Sequence, residues 1–572
     1  MLHRLSLLSL ILLALLLPFE LESPWLHLGP LVLTNVELAL WLVLGLTFLF
    51  WWRSGRQVPP IPRAWRWLGF LFLFSLFLAA ALAPDFQGNA LKAALRTAAG
   101  LALALAVAVR VNGARERRWL ALGLVGGGML AAMLGLMEIA AGVDFVWLNR
   151  FRPGPTVAGP FLRLSGPFDY ANQAAMFIEG TLPLLLALGW QVWRRGRRSL
   201  ALLAAGALVL YAQAAIFTFS RASFATLLLV NLALALWLWR GQSRRNALLF
   251  GGAALLLATL VAGNLLLNSV FRLRLSGEGD SEWYHARFQV PAELQFKAGE
   301  ERVVTVTVTN ETVFTWYSAG STPINLAARW VQPESGRQLA QHPRWPLAHP
   351  VPPGESITLL VPLRAPRTGG QYHLLWDMVQ ENVIWFSTKT GQETSSAVTV
   401  VGNARDLNGE EAAAGAEGVE SFEAAWGEPV PVPGRRTLWA AALALWREHP
   451  WMGVGLDNFR LMYGRPLAYP AWNTTVHTNN WYLEMVVSLG LLGSLPFLLW
   501  LALLAVDMAQ TTSRPGVTVW HLAIAAGLLA YLIHGLLDYF LLFNATGLLF
   551  WMLVGCWLAI RRRKGGPAET RS

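Results

Sequence analysis

The chain has 572 residues, 55% of them hydrophobic and only 14% charged, against about 25% charged in an ordinary globular chain. Apolar residues gather in blocks of about 20, the length that crosses a hydrocarbon core of roughly 30 Å, which excludes a wholly soluble protein. The net charge is +11, yet residues 270–435 hold 13 Lys/Arg and 19 Asp/Glu; the surplus of arginine sits in short loops between apolar blocks, a pattern of membrane topology rather than of nucleic-acid binding.

The first block, Met1 to Phe19, carries Arg4 and ends at Pro18-Phe19-Glu20-Leu21-Glu22 without a small-residue cleavage site, so it reads as a retained helix. Twelve spanning helices are predicted, over roughly 4–20, 30–52, 66–83, 89–110, 118–141, 171–193, 199–219, 221–240, 246–269, 480–508, 517–540 and 545–560. The loops support that pattern, because every second one is basic. Arg53, Arg56, Arg63 and Arg66 follow the second helix, Arg110, Arg115, Arg117 and Arg118 the fourth, Arg194 to Arg198 the sixth, Arg240, Arg244 and Arg245 the eighth, and Arg561 to Lys564 the last. Both termini are therefore expected in the cytoplasm of a multi-pass protein of the inner (cytoplasmic) membrane, with the large loop outside.

Two outward loops are long. The first, about 142–170, carries Arg150, Arg152 and Arg163 against the charge trend. The second runs from 270 to 479. Within it residues 286–401 alternate as β-strands, as in Arg302 to Thr309, with Pro352-Pro353-Gly354 and Thr368-Gly369-Gly370 as punctuation. Such short strands predict an immunoglobulin-like sandwich. The fold class expected is thus a polytopic α-helical membrane protein with an inserted extracytoplasmic all-β domain. The plan is a membrane domain over 1–270, the β-sandwich over 271–401, a flexible acidic linker over 402–434, an extracytoplasmic amphipathic helix and active-site loop over 435–479, and a membrane domain with a basic tail over 480–572. The helix, Arg436 to Glu448, is too short to span and is expected to lie on the outer membrane surface.

Four polar clusters fall at outward helix ends or loops: Arg163-Leu164-Ser165-Gly166-Pro167-Phe168 with Asn172; Ser220-Arg221-Ala222-Ser223; Gly453-Val454-Gly455-Leu456-Asp457-Asn458-Phe459; and His477-Thr478-Asn479-Asn480-Trp481-Tyr482-Leu483-Glu484. A guanidinium near a membrane face needs a carboxylate or an anionic ligand, and the arginine fork fits phosphate oxygens. Arg163 and Arg221 are therefore candidates to hold a lipid diphosphate, and His477 to take a proton from a hydroxyl. The plainer reading gives Arg163 and Arg221 to nearby acids or lipid headgroups, His477 to a structural hydrogen bond, and Gly453 and Gly455 to a turn. No Walker A motif, Asp-x-Asp pair or G-x-S-x-G is present, and the lone Cys556 allows neither an intrachain disulfide nor a cysteine metal cluster. No metal and no cofactor is expected.

Taken in order, these clusters resemble the O-antigen ligase and O-antigen polymerase superfamily. The likeness rests on Arg163-x-Ser-Gly-x-Phe with Asn172, on Ser220-Arg221-Ala222, and on Arg436 through Pro450, Gly453, Gly455 and Phe459. It rests further on His477-x-Asn479-Asn480-x-Tyr482-Leu483 through Gly490-Leu491-Leu492-Gly493, and on His534-Gly535-x-x-Asp538. The resemblance implies transfer of a glycan from a polyprenyl diphosphate carrier to an acceptor hydroxyl of a lipid, glycan or protein outside the cytoplasm. It implies Arg163, Arg221 and His477 as catalytic residues and Arg436, Asn172, Asn480 and Tyr482 as substrate-binding ones. Expected partners are the lipid-linked donor, the acceptor and the bilayer, with no nucleic acid. A polymerase of the same superfamily and a lipid or glycan transporter are the alternatives. The chain departs from the family in its β-insert, where Trp376 and Trp385 are candidate glycan-stacking residues, and in Thr478, where many members carry a second histidine.

Overall fold

The computed structural model describes residues 2–28, 31–55, 61–159, 161–241, 243–276, 281–319, 322–333, 343–381, 384–402, 433–469 and 472–561. Nearly all of the linker expected over 402–434 and of the basic tail after Arg561 lies outside the described residues. The chain divides into two compact units. One comprises residues 1–157, 162–272 and 433–572, and the other residues 158–161 and 273–432.

The first unit is helical. Its long elements are α1 (Leu2–Leu16), α2 (Asn35–Ser54), α3 (Arg63–Leu82), α4 (Gln87–Arg110), α5 (Ala114–Ala141), α6 (Ala171–Arg194), α7 (Arg198–Phe217), α8 (Arg221–Arg240), α9 (Arg244–Leu267), α10 (Arg435–Glu448), α11 (Trp481–Thr512), α12 (Val519–His534) and α13 (Asn544–Ile560). Among the described residues nine of these, α2 to α9 and α11, are long and apolar enough to cross a membrane. The other three predicted spans correspond to shorter apolar helices of 15, 16 and 17 residues, α1, α12 and α13. In α13 every residue from Ala545 to Ile560 is buried, so protein rather than lipid surrounds this short helix. Glycine permits such packing: a Cβ on Gly555 would lie 2.4 Å from the Ala104 carbonyl of α4, and one on Gly527 of α12 would lie 2.8 Å from the Gly180 carbonyl of α6.

Three segments differ from what the sequence predicts. The helix expected over 517–540 ends at His534, where Gly535 begins a turn through Phe543. The first helix stops at Leu16 rather than 20, because Pro18 brings no backbone N–H and restricts the residue before it. The amphipathic α10 does not offer its apolar stripe to a membrane surface. Leu438, Ala441, Ala442 and Leu445 are buried with Val454, Phe459, Tyr463 and Val487 in one protein core.

Arg152, one of the arginines of the 142–170 loop, is fully buried. Its Nη1 donates to Glu138 Oε2 (3.0 Å), Ser165 Oγ (2.9 Å) and the Gly166 carbonyl (2.8 Å), and its Nη2 donates to Asp144 Oδ1 (2.8 Å) and to Glu138 Oε1. Two carboxylates neutralise this guanidinium, and it fastens the 142–170 loop to α5. Arg152→Met leaves both acids uncompensated and is expected to destabilise the protein by about 3–5 kcal/mol. Thermal unfolding in detergent reads that loss, and an unchanged midpoint sinks the structural role.

The second unit is β-rich. Strands β1 (Ala286–Gln289), β2 (Glu293–Lys297), β3 (Glu301–Asn310), β4 (Ile324–Val331), β5 (Arg344–Pro346), β6 (Ser356–Arg364), β7 (Gly370–Gln380), β8 (Ile384–Trp385) and β9 (Thr394–Val401) form two sheets. One has the order β6-β3-β1, the other β2-β9-β7-β4-β5 with β8 beside β7. All pairs are antiparallel except β2 with β9. Alternation sets the faces: Ile357, Leu359, Val361 and Leu363 of β6 point inward and share a core with Leu326, Trp330, Leu374, Trp376 and Val398 of the other sheet. Trp376 is therefore corrected as a stacking residue. It is buried, and its indole donates to Ser396 Oγ (2.9 Å). Trp385 is likewise buried, with the Arg329 and Arg344 guanidinium carbons 5.0 and 5.4 Å from its ring centre. Strand residues alternate faces, and the sequence alone did not fix which face these rings took.

Candidate active site

One end of the helical unit gathers the polar motifs around Arg163, Arg221 and His477. The 163–164 segment lies along the α7–α8 junction, with Leu164 N donating to the Phe217 carbonyl (2.9 Å). The Arg163 fork is divided: Nε donates to the Thr218 carbonyl (2.8 Å) and Nη2 to Asn172 Oδ1 (2.9 Å). Asn172 in turn donates through Nδ2 to Asp538 Oδ2 (2.9 Å), and Tyr170 hydrogen-bonds the same carboxylate. A polar relay thus runs Arg163–Asn172–Asp538. Burial pushes Arg163 down to about 10, against the pull of Asp538 and with a push from the Arg221 charge, so it stays protonated near neutral pH. Burial, then Asp538, holds the Tyr170 phenol well above its usual range, so it serves as a donor. Arg221 is exposed in the first turn of α8, directly after Ser220.

The second half is built on α11. Asn480 caps this helix, its Oδ1 accepting from Leu483 N (2.9 Å), and its Nδ2 donates to the Leu536 carbonyl (3.0 Å). Tyr482 donates to the Leu532 carbonyl (2.6 Å). Both side chains tie α11 to the end of α12. His477, 6% exposed, precedes this cap. Its Nδ1 lies 3.5 Å from Glu484 Oε1, its Nε2 lies 4.0 Å from Asp457 Oδ1, and its ring packs edge-on against Tyr539 at 5.5 Å. The other Glu484 oxygen accepts from Thr478 N (3.0 Å). Glu484 is thereby oriented toward the imidazole, at a separation that tightens to a hydrogen bond with a small shift. Asp457 is clamped by Arg460, Nε at 2.7 Å and Nη2 at 2.9 Å, and this bonding raises the Arg460 pKa further. Burial, then Glu484 and Asp457, keeps the Tyr539 phenol protonated.

The turn after α12 joins the halves. Asp538 faces the Arg163 relay, Tyr539 faces His477, and the Gly535 and Asp538 carbonyls accept from Trp481 N at 2.7 and 3.1 Å. Backbone strain marks the same region: Phe219, Asp457 and Asn479 have φ of 51°, 66° and 52°. Left-handed non-glycine residues cost about 1–3 kcal/mol each and cluster at functional sites.

The glycine loop is architectural. Gly490 (φ 62°) interrupts α11, and the freed carbonyls of Val487 and Ser488 accept from Val454 N (3.0 Å) and Gly455 N (2.9 Å). A Cβ on Gly490 would lie 2.3 Å from the Trp451 carbonyl carbon, and one on Gly453 would lie 2.4 Å from that of Ser488. This close approach supports the turn reading of Gly453 and Gly455 and gives the Gly490 motif a physical reason. It also sets the start of the loop that ends in Asp457. Arg436 lies exposed on α10 and has no hydrogen bond or ion pair among the described residues.

Sequence reasoning quoted Asp457, Glu484 and Asp538 inside motifs but gave them no role. Arg460, Tyr170 and Tyr539 it missed; their only signal was adjacency to those motifs. Among the described residues no three His, Cys, Asp or Glu side chains are grouped to hold a metal ion. A protein-family model described as O-antigen ligase matches residues 395–498, a span that includes α10, the glycine loop, His477 and most of α11. No curated protein matches the chain. The match covers less than a fifth of the chain, and it supports a likeness to the O-antigen ligase superfamily, whose members are glycosyltransferase-like membrane enzymes.

Proposed function

We propose, from the match of residues 395–498 to the O-antigen ligase family, that the chain transfers a glycan from a polyprenyl diphosphate to an acceptor hydroxyl on the extracytoplasmic side. The acceptor oxygen forms the new bond at the anomeric carbon while the bond to the diphosphate oxygen breaks. The hydroxyl proton passes to His477, and the polyprenyl diphosphate leaves with the bonding electron pair. Attack from the face opposite the leaving group inverts the anomeric centre. Arg163 and Arg221 stabilise the charge growing on the diphosphate, an electrostatic role that needs no metal. Glu484 holds the imidazole with Nδ1 toward itself and leaves Nε2 as the base. The observation that carries this reading is the meeting of the Arg163 relay and the His477 cluster on the two sides of one turn, Gly535 to Tyr539.

Arg221→Ala is expected to lower transfer by about 100-fold, because a donor to a developing charge is removed. Transfer by the wild type is expected to persist in EDTA. Both are read as disappearance of lipid-linked donor in proteoliposomes. Near wild-type transfer in Arg221→Ala removes the diphosphate assignment, and loss in EDTA with recovery on adding a divalent cation removes metal independence. Chain-length analysis of the product separates ligation of one glycan from polymerisation of many.

A further inference from the structure

We infer that the ends of α8, α11 and α12 farthest from His477 form a binding site for one anionic phospholipid. The three helices carry the candidate active site at one end: Arg221 opens α8, Asn480 caps α11, and the Asp538 turn follows α12. Twenty helical residues from Arg221 to Arg240 rise about 30 Å, close to one hydrocarbon core, so the other ends lie in the opposite leaflet.

There the α8–α9 and α11–α12 connections enclose a pocket of about 550 Å³. Arg240, Ser243, Ser513 and Arg514 line it, with Trp237 at its side, and no carboxylate is among its described lining residues. Arg240 and Arg514 are exposed, and neither has an ion pair or hydrogen bond among the described residues. Two guanidiniums around one cavity with no acid recruit an anion, and their forks suit phosphate oxygens.

The pocket does not end at the polar layer. Trp237 and Thr512 also line an apolar groove of about 190 Å³ that continues between α8 and α11 with α12 beneath it. Alanines keep that groove open, Ala233 from α8, Ala505 and Ala509 from α11, and Ala525 from α12. A free phosphate has no use for the groove, and a lipid without net negative charge leaves the two guanidiniums uncompensated. A headgroup phosphate with one acyl chain running down the groove matches both. The site is independent of the catalytic reading, since none of its residues takes part in glycan transfer.

Native mass spectrometry of the purified full-length protein in detergent, titrated with dioleoylphosphatidylglycerol or dioleoylphosphatidylcholine, tests this. Each arginine should contribute about fivefold, so phosphatidylglycerol is expected to bind about 25-fold more tightly. Arg240→Gln with Arg514→Gln should bring it to the level of phosphatidylcholine. Ala509→Trp, which fills the groove and keeps both arginines, should weaken phosphatidylglycerol as well, and millimolar inorganic phosphate should not displace it. Equal binding of the two lipids by the wild type, unchanged selectivity in the double variant, full binding in Ala509→Trp, or displacement by inorganic phosphate each overturns the assignment.

Discussion

His477→Ala is expected to lower glycan transfer by about 100- to 10,000-fold, the range for loss of a positioned general base, with little change in thermal stability. The imidazole sits between Glu484 and Asp457 with Tyr539 on its edge, an environment built around one ring. A merely structural histidine would show the reverse pattern, lost stability with transfer retained in the folded fraction. Glu484→Gln separates the roles further. It preserves the volume and can still accept from Thr478 N, but it no longer presents a carboxylate to Nδ1. Its loss should be smaller than that of His477→Ala and should vary with pH, because the tautomer and basicity of the imidazole are what it disturbs. Rates on a lipid-linked donor across pH, with unfolding midpoints for each variant, decide between the two.

The second large effect is at Arg163. Arg163→Ala should cost about 100- to 1,000-fold, the magnitude for removing one preorganised donor to a developing negative charge. Arg163→Lys should recover little of it. The guanidinium binds the Thr218 carbonyl and Asn172 through different nitrogens, and a lysine ammonium does not reproduce that fork. The loss should fall mainly on kcat if the arginine acts on charge that appears in the transition state, and on KM if it only anchors the ground-state diphosphate. Full activity in Arg163→Lys would reduce Arg163 to a point charge and remove the relay from the account.

Much of the helical layout was legible because lipid and water impose strong constraints: apolar blocks of bilayer length, and arginine in alternate loops. The end of α12 was not legible. Leu536, Leu537, Tyr539, Phe540 and Leu541 continue the apolar run, so hydropathy reads helix where the chain turns at Gly535. That turn matters most, because it presents Asp538 to Asn172 and Tyr539 to His477. The Arg163 and His477 motifs were visible as short patterns, but their connection was not. Asn172 meets Asp538 across 366 positions, a pairing that no local spacing encodes. Asn480 and Tyr482 stand inside a functional motif, and their hydrogen bonds to the Leu536 and Leu532 carbonyls, which lock two helices, were not legible either. Arg152 and Arg163 stand in the same 142–170 loop and carry the same charge. Only the partners distinguish them, one buried and one half-buried carboxylate for the first and a carbonyl and an amide for the second.

The fate of the donor separates glycan transfer from transport. Wild-type protein is reconstituted in vesicles with a polyprenyl diphosphate oligosaccharide labelled in its glycan and with an acceptor pool from the native host. Labelled donor is expected to disappear, polyprenyl diphosphate to be released, and the label to enter a new glycosylated product. Label that crosses the bilayer still joined to its intact lipid diphosphate would contradict the account and make the chain a transporter.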